Sequence, residues 1–319
     1  MTTTVPDRPD SQQALDAFRA DRVYLGADHR RNERRTWIVT AICAAMLVAL
    51  VIGGVTSRST ALIANGLHMA AHVAALLVAS AAYALARRHA GNAAFSFGTG
   101  KLGYLAGFAN AVVLAVTALL IAGEAIGRLI SPQAVNYEES VPLAAIGLAV
   151  NLGCIWLLKP TGAQAHRHDP DGDLNLSAAH LHLSADAAVG AVTVAAELAG
   201  RSLGWTFADP LAGLLSAVLV GQFALSLARR SGAALLDVNP SAALTAEVRR
   251  RLSAQGETVL DLHLWRLGPG HHAVIAAVAG VEGLGPEAYR ARLGDVAGLS
   301  HVTIEVRERQ DHTHGHAHA

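Results

Sequence analysis

Six stretches of this chain, 37–55, 62–85, 102–130, 141–158, 176–198 and 210–227, are predominantly apolar over about the 20 residues that a helix needs to cross the hydrocarbon core of a bilayer. Lipid offers no partner to backbone N–H and C=O groups, so runs of this length dictate helices, whose backbone bonds are all internal. The joins carry charge or turn punctuation at Arg87 and Arg88, Ser131 and Pro132, and Lys159 and Pro160. Charged residues are 16% of the chain, against roughly 25% in soluble domains. The formal net charge is +0, so nothing argues for a nucleic-acid partner. Lys and Arg near the helix ends divide unevenly. Arg30, Arg31, Arg34, Arg35, Arg87, Arg88, Lys101, Lys159, Arg167, Arg229 and Arg230 fall on one side, and Arg58, Arg128 and Arg201 on the other. That imbalance puts both termini in the cytosol, which six spans permit.

Residues 1–35 read as a polar cytosolic arm, because no short apolar core followed by a cleavage site precedes Trp37. The six-helix membrane domain takes 36–232. From 233 to 308 the pattern changes to that of a small cytosolic α+β domain. It has a helix at 245–254, strands at 259–267 and 273–281 around Gly268-Pro269-Gly270, a helix at 286–296 and a strand at 301–306. A His-rich tail, 309–319, is too polar to fold alone.

The chain has 16 histidines and only two cysteines. Cys43 and Cys154 lie in apolar runs, where small buried cysteines are common, and they allow no thiolate metal site. The histidines are more telling. The second span holds His68 and His72, and the fifth His182 and Asp186. Residues four apart share a helix face, and ionisable groups inside a membrane are costly and mark function. At 1.5 Å per residue, His68 lies roughly 13 Å into its span, His182 roughly 12 Å and Asp186 roughly 18 Å, all near the midplane. The competing reading is of isolated polar residues hydrogen-bonded to neighbouring helices. Two such pairs at one depth favour instead a tetrahedral site of three imidazoles and one carboxylate.

Imidazole suits zinc and its neighbours, whereas calcium, magnesium and manganese prefer oxygen, so the set favours Zn²⁺, Co²⁺ or Ni²⁺. Ligands must lose protons to bind metal, so a site open alternately to each side would exchange metal for protons. An intramembrane metalloenzyme is the poorer reading, since no His-Glu-x-x-His is present and every ligand position is taken. A membrane metal sensor without transport is the alternative, although no DNA-binding or catalytic module is present to relay its signal. Other histidines have weaker cases. His166 and His168, and His312, His314, His316 and His318, are candidate metal collectors. His180 is a candidate entry residue. His263, His301 and Glu305 would form a regulatory site if they met across adjacent strands, with ordinary surface positions as the competing reading.

Several motifs together resemble the cation diffusion facilitator family of metal exporters. They are STALIANGLHMAAH from Ser59 to His72, FSFGTGKLGYLAGF from Phe95 to Phe108, AAHLHLSAD from Ala178 to Asp186, Asp209-Pro210, Leu235-Leu236-Asp237 and DLHLW from Asp261 to Trp265. LGADHRRNERRTW, the histidine pair His68 and His72, and LHLWRLGPGHH are similar to the branch associated with cobalt and nickel export. The resemblance implies a homodimer in the cytoplasmic membrane, alternating access, proton coupling and a ferredoxin-like, metallochaperone-like cytosolic domain. It carries the metal ligands onto His68, His72, His182 and Asp186, and it implies a charge pair between Lys101 and Asp237. The chain departs from the family's pattern at Asn65, where Asp is usual, and at Leu50 and Tyr104, where relatives carry carboxylates. Leu260 likewise stands where zinc-type members often have His.

Overall fold

A computed structural model describes Tyr24 and residues 29–57, 60–131, 136–158, 174–280 and 284–308. The expected metal-collecting histidines at 166, 168 and 312–318 lie outside these residues. Six long helices come first: α1 (His29–Ser57), α2 (Thr60–Arg88), α3 (Leu102–Ile130), α4 (Tyr137–Leu158), α5 (Leu174–Leu203) and α6 (Ala208–Leu235). Five of them, α1 and α3–α6, are long and apolar enough to cross a membrane. The third runs over the residues expected from sequence, and the others extend past their apolar runs. The extension of α1 has a visible cause. Its first turns are polar, but they pack on the end of α2. Arg87 there grips Glu33 through two bonds of 2.9 and 3.1 Å, and His29 Nε2 lies 3.1 Å from the Tyr83 carbonyl oxygen.

Small residues let these helices approach closely. The buried side of α2 runs through Met69, His72, Val73, Leu76, Ala79, Ser80 and Tyr83, the three- and four-residue spacing of one helix face. Thr40 on α1 and Ser80 on α2 are joined oxygen to oxygen at 3.0 Å. On the other side of the bundle α3 and α6 share a core of Ala111, Leu114, Ala118, Val220, Ala224 and Leu227. A Cβ at Gly213 would sit 3.0 Å from that of Ala125, so glycine there spares the two helices a shift of a few tenths of an ångström.

The small C-terminal sheet domain follows: α7 (Ala242–Leu252), β1 (Thr258–Gly268), β2 (His271–Gly280), α8 (Pro286–Arg292) and β3 (Leu299–Glu308). The element types match those expected from sequence. Helix α8 stops before the expected residue 296. Sheet order is β1-β2-β3, with β1 antiparallel and β3 parallel to β2. Gly270, at φ 72, turns the hairpin in the left-handed conformation that glycine adopts without strain. Ser241 caps α7 by accepting the Leu244 N–H at 3.2 Å. Both helices cover one sheet face over a core of Val248, Leu252, Val274, Ala276, Tyr289 and Leu293.

The domain is fastened to the helix bundle at the α2–α3 turn. Phe97 presents its edge to Trp265 and to His301, at 5.5 and 5.8 Å between ring centroids. Burial, and then the nearby Arg290 cation, lower the pKa of His301 below the usual imidazole value. Beside it the backbones of Gly100, Gly268 and Tyr24 touch, so that a Cβ at Gly100 would lie 2.3 Å from the Leu267 carbonyl oxygen. Lys101 Nζ donates to Asp237 Oδ1 at 2.5 Å, the expected charge pair. Asp237 holds a left-handed φ of 57 at the end of α6. The pair is partly exposed, so its direct worth is about 1 kcal/mol or less, and its role is to fix geometry.

Two outcomes are expected at this joint. Gly100→Ala must displace backbone, so the thermal midpoint of the purified protein should fall by the equivalent of about 1–3 kcal/mol, with faster proteolysis around residue 100. An unchanged midpoint would remove the close approach. Lys101→Asp and Asp237→Lys should each loosen the domain in the same proteolysis assay, and the double reversal should restore part of the protection. Absence of any restoration would argue against a direct pair.

Candidate metal centre

The second and fifth helices bring their ionisable residues together. His72 stands on the buried face of α2 between Met69 and Leu76, and His182 and Asp186 share one face of α5 beside Ala179, Leu183 and Ala185. Exposure is 4%, 3% and 9% for His72, His182 and Asp186. One atom of each points to a common centre. His72 Nδ1 lies 3.0 Å from Asp186 Oδ2 and 3.1 Å from His182 Nε2. The third side of the triangle, His182 Nε2 to Asp186 Oδ2, is 3.4 Å. The imidazoles meet edge to face, 5.2 Å between centroids and 75° between planes. Among the described residues this is the single group of three His, Cys, Asp or Glu side chains with ligand atoms this close.

Those lengths have a chemical meaning. A tetrahedral ion bound at 2.0–2.1 Å holds its ligand atoms about 3.3–3.4 Å apart. The observed triangle of 3.0, 3.1 and 3.4 Å is therefore almost the right size already, and an ion would need only to spread it slightly. His68 lies on α2 one turn before His72, and its side chain is outside the described residues.

The remaining candidates fall elsewhere. His180 is half-buried, and its carbonyl oxygen accepts the Ser184 hydroxyl at 2.7 Å within α5. His263 and the pair His301 and Glu305 do not stand on adjacent strands, because β2 runs between β1 and β3. His263 Nε2 meets Asp261 at 2.8 Å, Glu305 pairs with Arg307 at 2.8 Å and His301 meets Phe97. These residues therefore do not meet across adjacent strands, in keeping with ordinary surface positions rather than a regulatory site. Cys43 and Cys154 are buried in the apolar cluster that also holds Met69, Val73 and Leu183. Leu50 belongs to the same cluster, and Tyr104 is buried against Ala234 with the Arg266 guanidinium 6.0 Å from its ring centroid. An aromatic face thus receives the cation at a position where a carboxylate is usual. Among the buried charge-bearing residues that the sequence reading missed, Glu197 lies inside a membrane helix: it is 7% exposed, three turns beyond Asp186 on α5. The signal was there, an acidic side chain inside an apolar run.

The model of the cation efflux transmembrane domain matches residues 36–236. The zinc transporter ZitB of Escherichia coli is 34% identical to this chain over 242 residues, 74% of each protein. The metal cation efflux system protein CzcD of Cupriavidus metallidurans is 29% identical over 293 residues, 88% of this chain and 90% of the relative. A cadmium, cobalt and zinc/H(+)-K(+) antiporter of Bacillus subtilis is 29% identical over 305 residues, 92% of this chain and 95% of the relative. With the family model spanning more than half of its length, the chain belongs to the cation diffusion facilitator family of metal efflux transporters.

Proposed function

We propose that this chain exports a divalent transition-metal ion, Zn²⁺, Co²⁺ or Ni²⁺, in exchange for protons, binding it between α2 and α5. The observation that carries the proposal is the buried triangle of His72, His182 and Asp186, sized for one tetrahedral ion. His68, one turn from His72, supplies the fourth ligand. Nitrogen-rich donors suit the three ions named. The relatives' names, which cite zinc, cobalt and cadmium, support the same class of cargo.

The transport cycle follows from ligand chemistry. Imidazole binds metal only when neutral, so protons reaching the site from a more acidic exterior compete with the ion and promote its release. The protonated site then returns inward, giving metal out and protons in. The proton in the name of the Bacillus subtilis relative is consistent with such an exchange. In this reading α2 is the sixth span, both termini are cytosolic by the Lys and Arg imbalance, and the protein sits in the cytoplasmic membrane. The sheet domain is then a ferredoxin-like cytosolic unit. Two copies pair, as the resemblance implies.

Two measurements in proteoliposomes test the site. Asp186→Ala removes a direct ligand, so metal flux should fall by at least about 100-fold while the protein still inserts and folds. Wild-type flux in that variant would refute the ligand assignment, and metal binding without flux in the wild type would point to a sensor. His72→Asp exchanges nitrogen for oxygen and should move selectivity toward zinc and away from cobalt and nickel. An unchanged order of ions would show that surrounding groups set selectivity.

A further inference from the structure

Glu197 is an intramembrane carboxylate that the metal site does not use. It lies eleven residues past Asp186 on α5, or about 16 Å and three turns along the same helix face, toward the end of the bundle opposite the sheet domain. It is 93% buried, and its Oε2 has no hydrogen-bond partner among the described residues. Ser140 on α4 and Asp209 on α6 stand beside it. The Ser140 hydroxyl lies close to the carboxylate but outside full hydrogen-bond geometry.

The surroundings are closed but separable. The first turn of α4 seals against the last turns of α5. Gly200 leaves room for the Tyr137 ring, whose Cζ and Oη would be 2.6 Å from a Cβ there, and Arg201 holds Glu138 at 2.9 Å across the exposed rim. Asp209 is bonded at 3.0 Å to Arg128, which also binds Glu124 at 2.6 Å. Among the described residues Glu138 is balanced by Arg201, and Glu124 and Asp209 share the guanidinium of Arg128, which makes no ion pair with Glu197. A carboxylate buried beside another, with no cation of its own, is stable only when something positive joins it. An oxygen with no well-formed hydrogen bond among the described residues, under a seam between two helices, is placed to take the smallest cation.

We propose that Glu197 is the outer proton-binding residue of the exchange cycle. When the α4–α5 seam opens, its carboxylate oxygen takes a proton from external hydronium, leaving water and a neutral carboxylic acid. Closure of the seam traps that proton on the pathway side. It then leaves to water on the pathway and moves toward the imidazoles and Asp186 that the ion has vacated, and the carboxylate is regenerated. The proposal rests on the antiport reading above.

The test uses full-length protein, with Glu197→Gln and Glu197→Asp. Co²⁺ titration of each variant in detergent reports the central site and the fold, and should match wild type. Zn²⁺ flux into an acidic compartment should fall roughly 100-fold in Glu197→Gln, the low end of what a positioned proton carrier contributes, and lose its dependence on the pH of that compartment. Glu197→Asp should keep part of both. Infrared spectra of metal-free wild type should show a protonated carboxyl C=O band that is missing in Glu197→Gln and shifted in Glu197→Asp. Wild-type flux and pH profile in Glu197→Gln would overturn the proposal, as would the absence of that band from wild type. A wild-type flux indifferent to the pH gradient would instead remove the antiport reading itself, and with it this role.

Discussion

Two imidazoles and a carboxylate meet in the middle of an apolar helix bundle, and the rest of the architecture serves that contact. Three such groups are expensive to bury separately and are acceptable only when each faces a partner. Helices α2 and α5 must therefore hold a fixed rotation about their axes. The alanine-rich composition of α2 lets the helices approach, and Met69, Val73, Leu76 and Leu183 pack into the cluster next to the site. Glycines and alanines on α3 and α6 build a second, separate seam on the other side of the bundle.

The second constraint is the joint between the bundle and the sheet domain. It is concentrated in one short turn. Phe97 inserts its edge between Trp265 and His301, Gly100 lies against the Leu267 carbonyl, and Lys101 reaches Asp237. On the bundle side these contacts run from Phe97 to Lys101, the residue before α3, and reach Asp237, the residue after the α6 C-cap Leu236.

Much of this was legible in the residues. Apolar length alone located all six long helices, because in lipid the backbone has no alternative to internal hydrogen bonds. Spacing of four placed His182 and Asp186 on one face, and the depth of each pair matched His72 to them across the bundle. Helix ends were less legible. The first turns of α1 are polar, and only their long-range contacts to Arg87 and Tyr83 make them helical. Strand order was also hidden from sequence. Alternation identifies strands but not which strand lies between two others, so His263 and His301 looked closer than they are. Glu197 was passed over because a lone acidic residue has no spacing partner to announce it.

The claim on which everything turns is that one ion sits in a tetrahedral set spanning α2 and α5. Visible absorption of the Co²⁺-loaded protein tests it most directly, since tetrahedral Co²⁺ absorbs far more intensely than octahedral Co²⁺. The expected result is an intense spectrum that saturates at one Co²⁺ per chain and disappears in His182→Ala. A weak octahedral spectrum, or an intense one that survives His182→Ala, would contradict the site.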